Sequence, residues 1–257
     1  MTTDKMEVTG MLKRVFLTGF LLVTLSSMAW AQKTITFASD CTWPPMEMMS
    51  EQKECIGFGP DLVNAMAKAG GFNVVIQNTA WDGIFAGLAM GKYNAISSSV
   101  SITEERKATM DFSDPYFEVK QGVVVREDSP FKSEADLAGK TVGAQIGTTG
   151  YFAAMRIVGD KAKSYDEVGL AITDLANGRI DAVICDDAVA ADYALMNPDY
   201  ADKLAMPFVI VPDEPEYLGF AVKKGDSETL EAINKALTAV RDSGEYDQIY
   251  KKWFGSE

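Results

Sequence analysis

The chain has 257 residues, 47% hydrophobic and 24% charged, a globular composition long enough for one large domain or two small ones, which excludes intrinsic disorder as its ground state. It holds 37 Asp and Glu against 24 Lys and Arg and no histidine, so Ser-His-Asp and Cys-His nucleophiles, His-based zinc sites and a histidine general base are all removed. A net charge of −13 excludes the nucleic-acid backbone as a partner, because that needs a basic stripe.

At the start, Lys13-Arg14 precede an apolar run over 15–25 and then Ala29-Trp30-Ala31. A charged segment, an apolar segment too short to span a bilayer and a small-x-small step predict a cleaved secretory signal peptide over 1–31, an uncleaved anchor being the alternative. Met11 stands just before the basic pair and is an alternative start. Without 1–31 the chain keeps 21 basic and 35 acidic side chains, a net charge of −14. No cysteine directly follows the apolar run, so no lipid attachment is expected, and a soluble protein of the bacterial periplasm follows.

Three cysteines then face an oxidising compartment. Cys41 and Cys55 enclose 13 residues, a span whose closure stabilises by about 3 kcal/mol in the chain-entropy model, so they are expected to pair; two free thiols are the alternative. Cys185 follows Val183-Ile184 and reads as a buried core thiol rather than a nucleophile.

Short apolar or alternating runs over 34–38, 73–77, 95–98, 141–144 and 180–185 read as strands. Ala-rich stretches with helical spacing over 61–68, 83–90, 150–158, 167–177 and 187–196 lie between them. This alternation predicts α/β layers with mainly parallel strands. Pro60 suits a first helical turn, with Asp61 favourable at its positive end. Two β-branched stretches, 119–126 and 218–222, stand apart beside turn or Pro-rich segments and are read as strands crossing between two lobes. From Ser227, Leu230, Ile233, Leu237 and Val240 keep helical spacing, then Ser243-Gly244 breaks it before a short helix to Trp253.

Several segments occur in an order and spacing that carry a resemblance: Trp43-Pro44-Pro45-Met46-Glu47; Trp81-Asp82-Gly83; Ser98-Ser99-Val100-Ser101-Ile102-Thr103 with Arg106; Asp111-Phe112-Ser113-Asp114-Pro115-Tyr116; Gly147-Thr148-Thr149; and Asp181-Ala182-Val183 leading to Asp186. Together they span nearly the whole chain after residue 31 and resemble the periplasmic solute-binding proteins of ABC importers, family 3, in its polar and basic amino-acid branch. The resemblance implies a two-lobed α/β fold of the type II periplasmic-binding kind, with a ligand cleft between lobes joined by two crossing strands. Lobe one is expected over 32–119 and 216–257, lobe two over 120–215. The implied role is capture of a free amino acid and delivery to a membrane permease, by a monomer with no cofactor, metal or catalytic residue.

An amino-acid zwitterion needs a partner for its carboxylate, one for its ammonium and a pocket for its side chain. Arg106 is the candidate carboxylate clamp, since a planar guanidinium donates two parallel hydrogen bonds, with Ser101 beside it; surface pairing with Glu104, Glu105 or Asp111 is the alternative. Thr148 and Thr149 follow Gly147 into a helix, where free amides meet an anion or simply form an N-cap. Asp186, at the C-terminal end of its strand, is the candidate for the ammonium, unless it is a solvated turn residue with Asp187 as the cap. Ser99 is expected as a second ammonium contact and Ser98 toward the side-chain pocket.

By the same resemblance Asp40, Trp43 and Trp81 surround the ligand side chain, with Gln145 and Glu47 as weaker candidates; ordinary core packing is the alternative for the indoles. Two indoles and an acid favour arginine, lysine, ornithine or histidine, because a buried aspartate without a partner costs several kcal/mol. A neutral polar ligand such as glutamine is the nearest alternative. A periplasmic dehydratase on the same scaffold, resembling cyclohexadienyl dehydratase and using Asp40, Glu47 or Asp186 as general acid, is an alternative of another class; a detached sensory module is a third. Cys41 and Gly150 depart from the family pattern beside the expected pocket.

Overall fold

The computed structural model describes residues 32–255; the expected leader over 1–31, with Met11, lies outside the described residues. Two five-stranded sheets dominate. The first runs, edge to edge, Asn73–Asn78, Thr34–Ser39, Ala95–Ile96, Ala221–Lys223 and Met110–Phe112. Thr34–Ser39 is parallel to both of its neighbours, whereas Ala221–Lys223 is antiparallel to both of its own. The second runs Ala162–Tyr165, Val142–Gln145, Ala182–Asp186, Gln121–Arg126 and Leu204–Ile210, parallel across its first three strands and antiparallel thereafter.

The expected α/β alternation is therefore present, and the two-lobed fold is the one the sequence implied. Its helices form where the apolar spacing places them. Phe58–Gly70 buries Phe58, Leu62, Val63 and Met66 toward Ile233, Ala236, Leu237 and Val240 of Ser227–Asp242. Each fully buried side chain of this kind contributes about 1.5–3 kcal/mol. The helix read over 187–196 is Asp187–Ala191 followed by a π-helical turn, Asp192–Met196. It ends where Pro198 forces Asn197 into extended backbone.

The two β-branched stretches are not single crossing strands. Phe117–Val119 pairs antiparallel with Glu216–Leu218 in a separate two-stranded ribbon. Beyond Lys120 the first stretch joins the second sheet as Gln121–Arg126, and beyond Gly219 and Phe220 the other joins the first sheet as Ala221–Lys223. Each run changes pairing partner midway, and the β-branched composition carries on across the junction.

Cys41 and Cys55 form a disulfide, with Cα atoms 5.8 Å apart. It ties the segment bearing Asp40 and Trp43 to a three-stranded meander of Thr42–Trp43, Glu47–Met49 and Cys55–Ile56. Cys185 is free and buried, and burial pushes its thiol well above the ordinary range, as expected of a core thiol.

Candidate functional site

The C-terminal ends of the parallel strands carry the polar residues that converge. Asp40 follows Thr34–Ser39, Ser97 to Ser99 follow Ala95–Ile96, Gly147 follows Val142–Gln145, and Asp186 closes Ala182–Asp186. Parallel strands end with their side chains at the same edge, which is where open α/β sheets hold ligands.

Arg106 sits on the four-residue helix Glu104–Lys107, capped by Thr103, whose Oγ1 accepts the Arg106 N–H at 3.2 Å. Its guanidinium donates to the Ser101 carbonyl at 2.9 Å and the Gly147 carbonyl at 3.0 Å, so it touches both lobes. It lies 5.2 Å from the Phe85 ring centroid and 5.6 Å from that of Trp81, both within cation–π range. Burial depresses its pKa, offset by the charges of Asp186, Glu216 and Glu105. The alternative of surface pairing is not what the chain does. Glu104 pairs with Lys107 at 2.8 Å, and Asp111 pairs with Lys224 at 2.7 Å.

Opposite, Gly147 turns the chain at φ 70°, a left-handed conformation that glycine adopts without the penalty of a Cβ. Thr148 caps the helix Thr149–Val158, its Oγ1 accepting the Tyr151 N–H at 3.1 Å. Thr149 Oγ1 lies 3.3 Å from Ser101 Oγ across the lobes. Gly150 is the second position where glycine is required: a Cβ there would stand 2.8 Å from the Ile184 carbonyl oxygen. The missing side chain lets this helix start press onto the end of the Asp186 strand.

Asp186 is buried and accepts from Trp43 Nε1 at 3.3 Å and Gln121 Nε2 at 3.1 Å. Burial, and next the charge of Glu216, push it up to about 7. It stands at the N-cap position of Asp187–Ala191 without a side-chain capping bond. Asp187 instead accepts the Lys120 N–H at 3.3 Å and the Ala188 N–H at 3.0 Å, while Asp186 bonds Trp43 and Gln121.

Asp40 accepts from Thr42 Oγ1 and from Gln145 Nε2, each at 2.8 Å, the second bond crossing between lobes. Its own N–H donates to Ser98 Oγ at 2.9 Å. Glu47 is fully buried and neither carboxyl oxygen has a partner. Burial raises its pKa well above the usual range, the neighbouring Ser99 hydroxyl opposes the rise, and Asp40 and Asp186 add to it. Ser99 is held at φ 46°, a left-handed conformation that costs a non-glycine residue about 1 kcal/mol, and its hydroxyl is buried without a partner.

Trp81 is 7% exposed and meets Phe85 edge-on at 5.0 Å. Trp81, Phe85, Arg106, Gly147, Thr149 and Phe152 line a cleft of about 410 Å³, whereas Asp40, Trp43 and Asp186 do not line it. Cleft and network together bring ten of the eleven expected residues to one seam: Asp40, Trp43, Trp81, Ser98, Ser101, Arg106, Gln145, Thr148, Thr149 and Asp186; Ser99 is buried beside Glu47 without a hydrogen bond into that network.

The sequence reading missed two residues in the centre of that seam. Gln121 Nε2 lies 3.1 Å from each of Thr149 Oγ1, Asp186 Oδ1 and Glu216 Oε2. The available signal was a single amide opening an otherwise β-branched run, and a carboxylate just before the apolar pair Tyr217-Leu218. Phe85 was missed too, its helical spacing reading only as packing.

Comparison with known proteins shows the family. The chain is 41% identical over 230 residues, 88% of its length and 84% of the other, to a probable histidine-binding protein of Neisseria gonorrhoeae. It is 35% identical over 243 residues, 91% of its length and 96% of the other, to the ABC transporter arginine-binding protein 1 of Escherichia coli K12. Among solved structures, the arginine-, lysine-, histidine-binding protein ArtJ of Geobacillus stearothermophilus superposes with a TM-score of 0.81 at 40% identity, covering 88% of this chain and 96% of that one. Residues 35–256 match the model of the bacterial extracellular solute-binding proteins, family 3, and the chain belongs to that family.

Proposed function

We propose that the chain captures a basic amino acid between its lobes, in the periplasm after removal of residues 1–31, and delivers it to the membrane permease of an ABC importer. One observation carries the ligand class: three buried carboxyl groups, Asp40, Glu47 and Asp186, converge on a seam where none of them forms an ion pair with a lysine or arginine among the described residues, and Arg106 uses two of its five N–H donors on backbone carbonyls, the others staying open to a ligand. Buried acids left without cations are costly, and a ligand carrying two cationic ends relieves that cost.

In this reading Arg106, the amides at Thr148 and Thr149, and Ser101 hold the carboxylate. Asp186 and Ser99 hold the α-ammonium. Trp43 and Trp81 flank the methylenes, and Asp40, with Ser98 and Gln145, meets the distal cation. Free amino acids and a permease are thus the partners, with the monomer presenting both lobes; no catalytic residue, metal or cofactor takes part. The relatives' names, which refer to histidine, arginine and lysine binding, support the class.

The test is calorimetric titration of refolded, ligand-stripped protein with arginine, lysine, ornithine, histidine, glutamine and glutamate, beside a thermal-shift panel of all twenty amino acids. Tight binding to one or more of the basic four is expected. Tight binding confined to neutral or acidic ligands overturns the assignment of Asp40.

A further inference from the structure

The centre of the seam carries more acceptors than donors. An amide nitrogen has two hydrogens, yet Gln121 Nε2 faces three oxygens at 3.1 Å, on Thr149, Asp186 and Glu216. One acceptor is always left over. Gln121 Oε1 and Glu216 Oε1 are also buried without a partner. Two carboxyl groups therefore share one amide, and no cation sits between them.

The charged surroundings do not resolve this. Arg106 is bound to two carbonyls, and Arg156, near Glu216 in the adjoining cavity, is committed to Glu134 at 2.6 Å. Lys120 offers its backbone N–H to Asp187, which adds a further negative charge. Glu47 and Asp40 approach from the first lobe with the same sign. A proton on Asp186 supplies a donor where the surrounding oxygens have none.

We propose that Asp186, joined to Glu216 through the Gln121 amide, holds one proton in the ligand-free protein, and that the α-ammonium of the arriving amino acid takes its place. The carboxyl O–H bond breaks, its proton leaves to bulk water, and an ammonium N–H then donates to the carboxylate, so the charge of the seat is conserved. Burial and the Glu216 charge, which bring Asp186 to about 7, place the exchange in a range that an exported protein meets. Gln121 is in this scheme a positioning residue, holding both acceptors toward the same point. The inference rests on the proposed amino-acid role and adds Glu216 and Gln121 to it.

The measurement is calorimetry of L-arginine binding in phosphate and in Tris, whose ionisation heats differ, so that the difference in observed heat counts protons released. Arginine is the probe because its own groups keep their charge between about pH 5 and pH 8. The expected result is release of roughly half a proton per arginine at pH 7, approaching one near pH 5.5 and none near pH 9, with affinity rising over the same interval and then levelling. Glu216→Gln is expected to reduce the release at pH 7 at least about threefold. Equal heats in both buffers at pH 6 and pH 7, with saturable binding, overturn the proposal. Loss of the release in Glu47→Gln but not in Glu216→Gln also overturns it, because the proton is then held elsewhere. Since every amino acid carries the ammonium, proton release on binding of glutamine alone supports this inference while overturning the basic-ligand assignment.

Discussion

Arg106 and Asp40 meet opposite ends of the proposed ligand, and their substitutions separate accordingly. Arg106→Ala removes a buried donor pair shared by both lobes and is expected to cost about 2–5 kcal/mol of binding for every amino acid tested by calorimetry. Asp40→Asn keeps its contacts with Thr42 and Gln145 in similar geometry but loses the charge. It is expected to weaken arginine and lysine by about 2 kcal/mol or more and glutamine much less. Equal losses for all ligands would show that Asp40 does not select among them. At this scale Arg106, Asp40 and Asp186, expected from chemistry plus resemblance, are found in the interlobe network. Gln121 and Glu216 were not legible, because an amide and a carboxylate next to buried runs look like ordinary strand ends until the second lobe is set against them.

At the scale of elements, strand and helix positions followed from periodicity, with ends displaced by one to three residues where caps decide. Strand 182–186 begins two residues later than the run over 180–185, because Ile180 packs in the core before pairing starts. The two crossing strands are present, but their extent differs from the reading, since pairing is a property of two segments and Val119 and Leu218 stand where the pairing partner changes. The Cys41–Cys55 bond constrains the segment carrying Asp40 and Trp43. The Cys41→Ser/Cys55→Ser double variant is expected to lose about 3 kcal/mol of unfolding free energy in urea titration. Its arginine affinity is expected to fall, since the loop's ordering then occurs on binding.

Across the whole molecule the buried acids set an unusual pH dependence. Asp40, Glu47 and Asp186 have folded-state pKa values raised above their unfolded ones, so the folded ligand-free protein binds more protons than the unfolded chain. The destabilising effect of Asp186 is full above about pH 8 and is relieved as pH falls through 7 toward its unfolded value, and Asp40 and Glu47 act in the same direction. The melting temperature of ligand-free protein is therefore expected to rise from pH 8 to pH 5 in scanning calorimetry. Below about pH 4 it falls again, as Asp111, Glu134 and Asp174, held low by Lys224, Arg156 and Arg179, take up protons. A saturating basic amino acid is expected to flatten the rise between pH 8 and pH 5, because its cations offset the same charges. A melting temperature that falls steadily from pH 8 to pH 5 without ligand would show that the acids are not held as the geometry indicates.

Taken alone, the amino-acid sequence determined the layered α/β class, the absence of histidine chemistry, the acidic character and the residue types suited to a zwitterion. These follow from composition and local periodicity, which act within a few residues of the chain. Only the tertiary structure decided that Asp40 meets Gln145, that Trp43 and Gln121 both reach Asp186, and that Glu47 is sealed without a partner. Those are contacts between segments up to 143 residues apart, and burial and protonation arise from how such segments close on each other.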